Sequence, residues 1–357
     1  MKWFLIGWQL LMSSVVLAQW NLTPRLESIH SERTSYQNLL IKNTLNFDGE
    51  FTRLFVEAFA EQNFNSAHAE EMRTPPRGYL QEAYLEFHWG DHFFKLGRQA
   101  VRWSEMWATP SLDVFTGHRF NRAFIDPLSE QLTHSTGLLW SYAGRNASLD
   151  VYSLWQGAET TYPEPFPEKE PTVRSSVEGG IRGKFDGGGH QFTGVVAQLE
   201  QSYVYGVGWS YAFESFVPKL EAGQRLWQNA DERPFQPLEV DFLSAGTDVF
   251  IDRWMLTPQV TLAYDDWNER VTNLYYGNLS WIGDRHEWSL QGSLYDPLLG
   301  QFLHVGYTYK PSGLWMIQSF WQNYDGSFDS IYGAYHDRVG SSVFGLRWQM
   351  DIDVLSK

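Results

Sequence analysis

The chain has 357 residues, 27 Lys and Arg against 42 Asp and Glu, a formal net charge of −15 and no cysteine. An acidic balance argues against nucleic acid as a partner, because neutralising phosphates takes Lys and Arg; the lack of cysteine excludes a disulfide scaffold. Charged residues make up only 19% and aromatics 17%, and no linker, low-complexity tract or composition shift divides the chain into ordinary globular domains.

The N-terminus has a short positive region at Met1 and Lys2, a mostly apolar stretch over 3–12, and Val16, Leu17 and Ala18 before a cleavage point. This pattern reads as a secretory signal peptide over 1–18, leaving 19–357 as one unit. Its apolar part is short for a spanning helix, which needs about 20 residues, and no long apolar run follows that could span as a helix. An exported, acidic, aromatic-rich chain of this kind is either a soluble periplasmic β-protein or an outer-membrane barrel.

Alternating segments then recur in chain order. Leu39, Ile41, Leu45 and Phe47 lead to the turn at Asp48 and Gly49. In residues 80–99, Ala83, Leu85, Phe87 and Trp89 share one parity, while Glu82, Tyr84, Glu86 and His88 share the other, with a break at Gly90 and Asp91. Leu138, Trp140 and Tyr142 run to a turn at 143–146; Val177, Ile181 and Phe185 run to the glycine turn at 186–189; Tyr203, Tyr205, Val207, Trp209 and Tyr211 follow. Leu256, Val260, Leu262 and Tyr264, then Trp288, Leu290 and Leu294, then Leu303, Val305, Tyr307 and Tyr309 continue the pattern. Alternation bounded by Gly, Asp, Asn and Pro is the signature of strands and hairpins.

Tight turns at 48–49, 90–91, 144–146, 186–189, 283–285 and 311–313 interleave with longer links at 63–77, 100–133, 156–175, 228–237, 265–270 and 324–340. That asymmetry belongs to outer-membrane barrels, with short periplasmic turns and long outer loops. The expected fold is an all-β, transmembrane, antiparallel up-and-down β-barrel of about 18 strands, with 16 as the alternative; an even number returns both ends to the periplasm. Segments of roughly 9–12 residues match tilted strands crossing a bilayer, and closure pairs every backbone group without water. Aromatics gather near segment ends, among them Trp89, Trp140, Trp209, Trp281 and Trp288, where amphipathic rings suit the membrane–water boundary. The segment 341–350 places Phe344, Leu346, Trp348 and Met350 on one face and Gly345 and Arg347 on the other. It looks like the terminal strand that barrel-assembly machinery recognises.

The run from Tyr79, YLQEAYLEFHWGDHFFKLGRQAVRWSEMWATPSLDVFTG, resembles a group of bacterial outer-membrane porin-like barrels that are distantly similar to alginate-export porins. The resemblance lies in the EAYL strand, the Gly-Asp turn, the second strand ending Gly97, Arg98 and Gln99, the following Trp103, and Leu112, Asp113, Val114 and Phe115. Ser104 stands where that pattern has a glycine. The match covers 79–155, and it implies the fold, an outer-membrane location and passage of something through the barrel.

Residues 100–133 form the longest link, and links of this length in a compact fold are commonly functional. Its Arg102, Trp103, Glu105, Asp113, Arg119, Arg122 and Asp126 are the candidates for a constriction folded into the barrel mouth, where Arg and Asp would set the local field. The alternative is an outer loop with surface ion pairs. Inward parity makes Glu82, Glu86, His88, Asp150, Glu178, Arg182, Lys184, Lys310 and Arg347 the candidate pore-lining residues. Part of the net negative charge falls in link residues such as Glu164, Glu168 and Glu170.

Enzymatic and metal readings find little. No HExxH, other metal-ligand spacing or GxSxG occurs. The glycines at 187–189 make a hairpin turn with no helix after them to cradle a phosphate. Residues 325–329 lack the full calcium-loop pattern, and the His134–Ser135 pair has no companion that would make it a hydrolase site. The sequence therefore points to a non-enzymatic, cofactor-free outer-membrane channel for passive diffusion of small solutes or ions. Its expected partners are membrane lipid, lipopolysaccharide and the barrel-assembly machinery. The alternative is a plugged barrel serving structure, adhesion or envelope assembly.

Overall fold

The computed structural model describes residues 17–33, 35–65, 77–106, 112–118, 132–157, 178–199, 202–227, 241–265, 270–296, 300–326, 332, 336 and 340–356. The chain order of strands is β1 (Leu17–Ser31), β2 (Ser35–Asp48), β3 (Thr52–Asn65), β4 (Arg77–Trp89), β5 (His92–Gln99), the two-residue β6 (Gly117–His118) and β7 (Leu132–Thr133), β8 (Ser135–Ala143), β9 (Ala147–Gln156), β10 (Glu178–Gly187) and β11 (His190–Leu199). It continues with β12 (Ser202–Tyr211), β13 (Phe216–Trp227), β14 (Asp241–Ile251), β15 (Trp254–Asp265), β16 (Arg270–Ile282), β17 (His286–Asp296), β18 (Gly300–Ser312), β19 (Trp315–Asp325), β20 (Ser342–Met350) and β21 (Ile352–Ser356).

Apart from the small β6–β7 pair, each strand is antiparallel to its neighbour in sequence, and β1 pairs with both β20 and β21, so the sheet closes on itself. With β21 as the continuation of β20 past Asp351, this is a closed antiparallel barrel of 18 strands. The larger of the two counts expected from alternation is the one observed. At the seam Glu27 faces Arg347 across the β1–β20 ladder.

One end of the barrel carries tight turns. At Asp252 and Arg253 two residues suffice between the paired Ile251 and Trp254, and Asp252 takes φ 53°, the left-handed geometry that such a hairpin demands. Gly188 and Gly189, at φ 61° and 85°, meet the same requirement between β10 and β11. The other end carries the long links, but four links there are short: 32–34, 200–201, 297–299 and 266–269, the last expected from the sequence to be one of the longer ones. Alternation of short and long is thus less regular than the sequence suggests, because only some strands on that side need a long excursion.

The parity of the strands separates two surfaces. On β12, Val207 is 62% exposed and Val204 is 1% exposed. Outward positions form apolar rows across the ladder, such as Phe185, Phe192, Trp209 and Leu220, which are successive register partners. A soluble protein rarely leaves so large a contiguous apolar belt in water; a belt of this kind around a closed barrel suits lipid. The expected outward residues of β4, Phe87 and Trp89, lie on that belt. Among the described residues no helix is long and apolar enough to cross a membrane.

Candidate functional site

The inner wall over β9–β14 is notched by glycines. Register partners in one row are Arg182, Val195, Gly206, Gly223 and Phe242. A Cβ at Gly206 would come 2.5 Å from Leu112 Cδ2, one at Gly180 would come 2.9 Å from the Trp103 ring, and one at Gly223 would meet Phe242 at 2.6 Å. Glycine is placed where another group must approach the sheet closely. Two of those groups come from the link after β5.

After Gln99 the chain turns inward, with Ala100 N–H donating to Glu82 Oε1 at 3.2 Å. Val101, Trp103, Leu112 and Phe115 are buried against Tyr152, Leu154, Val195, Ala197, Leu199, Val204 and Phe242 of the inner wall, one apolar cluster inside the barrel. Trp103 meets Phe115 edge-on at 5.0 Å, and Phe115 meets Tyr152 at 5.0 Å, the favourable arrangement for aromatic quadrupoles. Thr116 Oγ1 donates to Val101 O at 2.9 Å, closing the segment on itself. Asp113 accepts the backbone N–H of Ser104 at 2.7 Å and that of Trp103. Burial pushes the Asp113 carboxyl up to about 6, against the pull of those two N–H donors and of Arg102 and Arg182.

Polar anchors surround this apolar contact. Glu221 of β13 accepts the Ser104 hydroxyl and the Glu105 N–H. Lys184 Nζ lies 2.6 Å from Glu105 Oε1, and Lys219 Nζ donates to Glu105 O at 3.1 Å while pairing with Asp248 at 2.6 Å. Arg182 is held by Asp150, its register partner on β9, and reaches Arg102 O at 3.1 Å. Arg102 itself is exposed. Two strands, β10 and β13, thus present three cations to one short segment, and the segment returns backbone carbonyls and a carboxylate.

The structure brings together Arg102, Trp103, Glu105 and Asp113 of the link with Asp150, Arg182 and Lys184 of the wall. Arg119, Arg122 and Asp126 lie outside the described residues, as do Glu164, Glu168 and Glu170 and the segment 327–329. Glu86 is elsewhere on the wall, 2.5 Å from His88 Nε2 and 3.3 Å from Lys95 Nζ, with Lys95 4.2 Å above the Tyr84 ring. Glu178 is buried on β10. Lys310 pairs with Glu287 at 2.5 Å near the turn end, and Arg347 pairs with Glu27 at the seam at 2.8 Å. His134 Nδ1 donates to Gln81 O at 2.8 Å, whereas Ser135 Oγ engages Tyr152 Oη at 2.7 Å, so the two side chains serve different partners.

Glu221, Lys219 and Asp248 are absent from the sequence-based set. They sit on β13 and β14, strands whose alternation is blurred by Pro218 and by Gly223 and Gly246; inward parity with Leu220 as the outward reference would have found Glu221. A second inward contact was also missed. Tyr332, in the link between β19 and β20, is buried, 2.5 Å from Ser293 Oγ through its hydroxyl and stacked on Phe302 at 5.7 Å.

The fold and this docked segment define a class: a closed 18-stranded antiparallel barrel with an apolar outer belt, an ionisable inner wall and a link folded onto that wall. Solved structures with that fold include OccD3 (OpdP) of Pseudomonas aeruginosa, with TM-score 0.62, 12% identity and coverage of 96% of this chain and 94% of that one. OccAB2 of Acinetobacter baumannii has TM-score 0.64 at 9% identity, over 95% and 98% of the two chains. OprD of Pseudomonas aeruginosa has TM-score 0.59 at 9% identity, over 96% and 98%. No protein-family model matches the chain, and no curated protein matches it significantly. The fold is therefore one shared with the Occ and OprD porins.

Proposed function

We propose that the protein is a bacterial outer-membrane, porin-like channel for passive diffusion of small solutes or ions, with residues 100–133 as its constriction. One observation carries the reading: Val101, Trp103, Leu112 and Phe115 pack against the inner wall instead of extending from the barrel rim. A segment held there occupies part of the lumen cross-section and sets its polarity. Wall residues Arg182 and Lys184 and the exposed Arg102 then face the solute path, with Glu82, Glu86, His88 and Lys310 lining it at other heights, while the inward-facing Asp150, Glu178 and Arg347 are buried and act on the path only through their charge. The mechanism is diffusion through water, with no covalent step and no cofactor.

Residues 1–18 are the signal peptide in this reading, and 19–357 the barrel; most of that leader lies outside the described residues. Phospholipid and lipopolysaccharide surround the belt, and the barrel-assembly machinery inserts the chain through its last strand. The apolar belt and the likeness in fold to the Occ and OprD porins support this location. The narrower kinship with alginate-export porins has only the run beginning at Tyr79 behind it.

Reconstitution in planar lipid bilayers tests the reading. The protein should give discrete conductance steps, and deletion of 104–130 should enlarge them and change ion selectivity. Steps of unchanged size and selectivity would remove the constriction role. A plugged structural, adhesion or assembly barrel is the second reading, favoured by the depth at which inner-wall Gln322 and Tyr324 are buried; electrical silence of the folded protein would select it.

A further inference from the structure

Three hairpins carry the same outward-facing constellation at their turn end, and the channel reading makes no use of it. His92, His190 and His286 each open the second strand of a tight hairpin, β5, β11 and β17. Directly across from each, on the next barrel strand, stands a tyrosine: Tyr142, Tyr211 and Tyr309 respectively. Two residues deeper on that strand come Trp140, Trp209 and Tyr307. The deeper residue engages the imidazole in every case. Trp140 Nε1 donates to His92 Nδ1 at 3.2 Å, Trp209 Nε1 donates to His190 Nδ1 at 3.2 Å, and Tyr307 Oη lies 2.7 Å from His286 Nδ1. The imidazoles lie 5.2, 4.3 and 5.0 Å from the opposing tyrosine rings.

The chemistry of the clamp follows from its donors. An indole N–H can only donate, so Nδ1 of His92 and of His190 is the accepting nitrogen and the ring proton sits on Nε2. Ring plane and tautomer are fixed together. Among the described residues Nε2 of these histidines has no hydrogen-bond partner, which leaves one oriented donor at His92 and at His190; His286 offers the same donor when the Tyr307 hydroxyl donates to its Nδ1. All three histidines share the parity of the outer belt, with Phe94, Phe192 and Trp288 next along it. On the membrane reading, on which this inference rests, that height is the headgroup boundary on the turn side. Phospholipids there offer anionic oxygens that accept and never donate.

We propose that each clamp binds the phosphodiester of a phospholipid, with His Nε2–H donating to a phosphate oxygen and the aromatic rings packing on the glycerol and upper acyl chains. A free phosphate ion offers the same oxygens but no chain for the rings to cover. Charge ranks the three clamps. Arg285 immediately precedes His286, and Arg145 lies in the turn that follows Tyr142, both exposed. Asp91 and Asp284 offset one cation each at the first and third clamps, with Arg253 pairing Asp284 in turn, whereas the His190 clamp has Asp186 beside its glycine turn, Glu214 in the next one and no Lys or Arg in either, so it should hold lipid most weakly.

The test is titration of the delipidated, detergent-held barrel with palmitoyl-oleoyl phosphatidylethanolamine, with bound lipids counted by native mass spectrometry. The triple variant His92→Phe, His190→Phe and His286→Phe keeps the rings and removes the donors. It should bind lipid roughly fivefold more weakly per clamp, the size of one lost hydrogen bond, with the H190F single variant showing the smallest loss. Wild-type lipid occupancy in the folded triple variant would overturn the proposal, and so would displacement of lipid by millimolar inorganic phosphate. If the triple variant fails to fold, as judged by heat-modifiable gel mobility, the H92F and H286F single variants decide by the same readout. A barrel that stays monodisperse in water without detergent would instead overturn the membrane reading itself.

Discussion

Glu221 holds the Ser104 hydroxyl with both of its carboxylate oxygens, at 2.9 and 2.7 Å, and takes the Glu105 N–H with one of them at 2.6 Å. One wall carboxylate thereby fixes two donors of a segment more than a hundred residues away in sequence. Hydrogen bonds to a charged group are worth roughly 1.5–3 kcal/mol each. Glu221→Ala should therefore free the segment, and single-channel traces should show larger and noisier steps. Glu221→Gln keeps an accepting oxygen and should fall between the two. Alanine and wild-type channels that are indistinguishable would mean the apolar contacts alone hold the link.

Those apolar contacts depend on absent side chains. At Gly206 a Cβ would press on Leu112 Cδ2 at 2.5 Å and on Ala222 O at 2.9 Å, and only the leucine end can yield. Gly206→Ala should dislodge Leu112 and also strain the β12–β13 ladder locally at Ala222 O, so folding of the variant is checked by heat-modifiable gel mobility. The measurement is conductance together with protease sensitivity of the link in detergent. Both should rise. The control is Gly183→Ala, where nothing lies within 4 Å of the added Cβ.

The barrel was legible because lipid imposes a rule on every strand. Each outward position must be apolar and each backbone group paired, so alternation and hairpin turns carry the topology almost alone. Arg182 and Asp150 could be placed on the inner face by parity, but their pairing needed the register, which turn lengths set only after the whole sheet closes. The docked segment was less legible. Trp103 and Leu112 look like any loop hydrophobics until Gly180 and Gly206 are seen beneath them, on strands far along the chain. Tyr332 was hidden for the same reason: its partners Ser293 and Phe302 belong to strands whose adjacency a linear reading does not reveal.

Asp113 gives the docked segment a pH dependence. Its carboxyl titrates at about 6 in place compared with an ordinary value of 3.8, chiefly because burial disfavours the charge. A carboxyl that binds its proton more tightly when docked favours docking as the proton is taken up. The docked state is thus fully favoured below about 4 and loses that contribution as pH rises through about 6. Protease sensitivity of the link should fall between pH 7 and pH 5, and flicker between conductance levels should fall with it. Asp113→Asn still accepts the Ser104 and Trp103 N–H groups without titrating, so its response should be smaller over the same interval, reduced to what the other carboxylates at the segment contribute. A wild-type profile with the opposite slope would show that ionised Asp113 is the form that docks.

The seam that joins the first and last barrel strands is held by a buried carboxylate between two guanidinium groups. Glu27 Oε1 lies 2.9 Å from Arg25 Nε and 2.8 Å from Arg347 Nε, and Arg347 also donates to Gln318 Oε1 at 2.7 Å. The arrangement predicts an asymmetry. Removing Arg347 leaves Glu27 still paired with Arg25, whereas removing Glu27 leaves two buried cations facing each other without the charge that joins them. Breaking a buried pair by deleting one partner costs roughly 3–5 kcal/mol, and Glu27→Ala should approach that range while Arg347→Ala loses about half as much. Urea unfolding in lipid vesicles, followed by tryptophan fluorescence, measures both. Equal losses would mean that Arg25 contributes nothing to holding Glu27, and that the seam depends on the Arg347 contact alone.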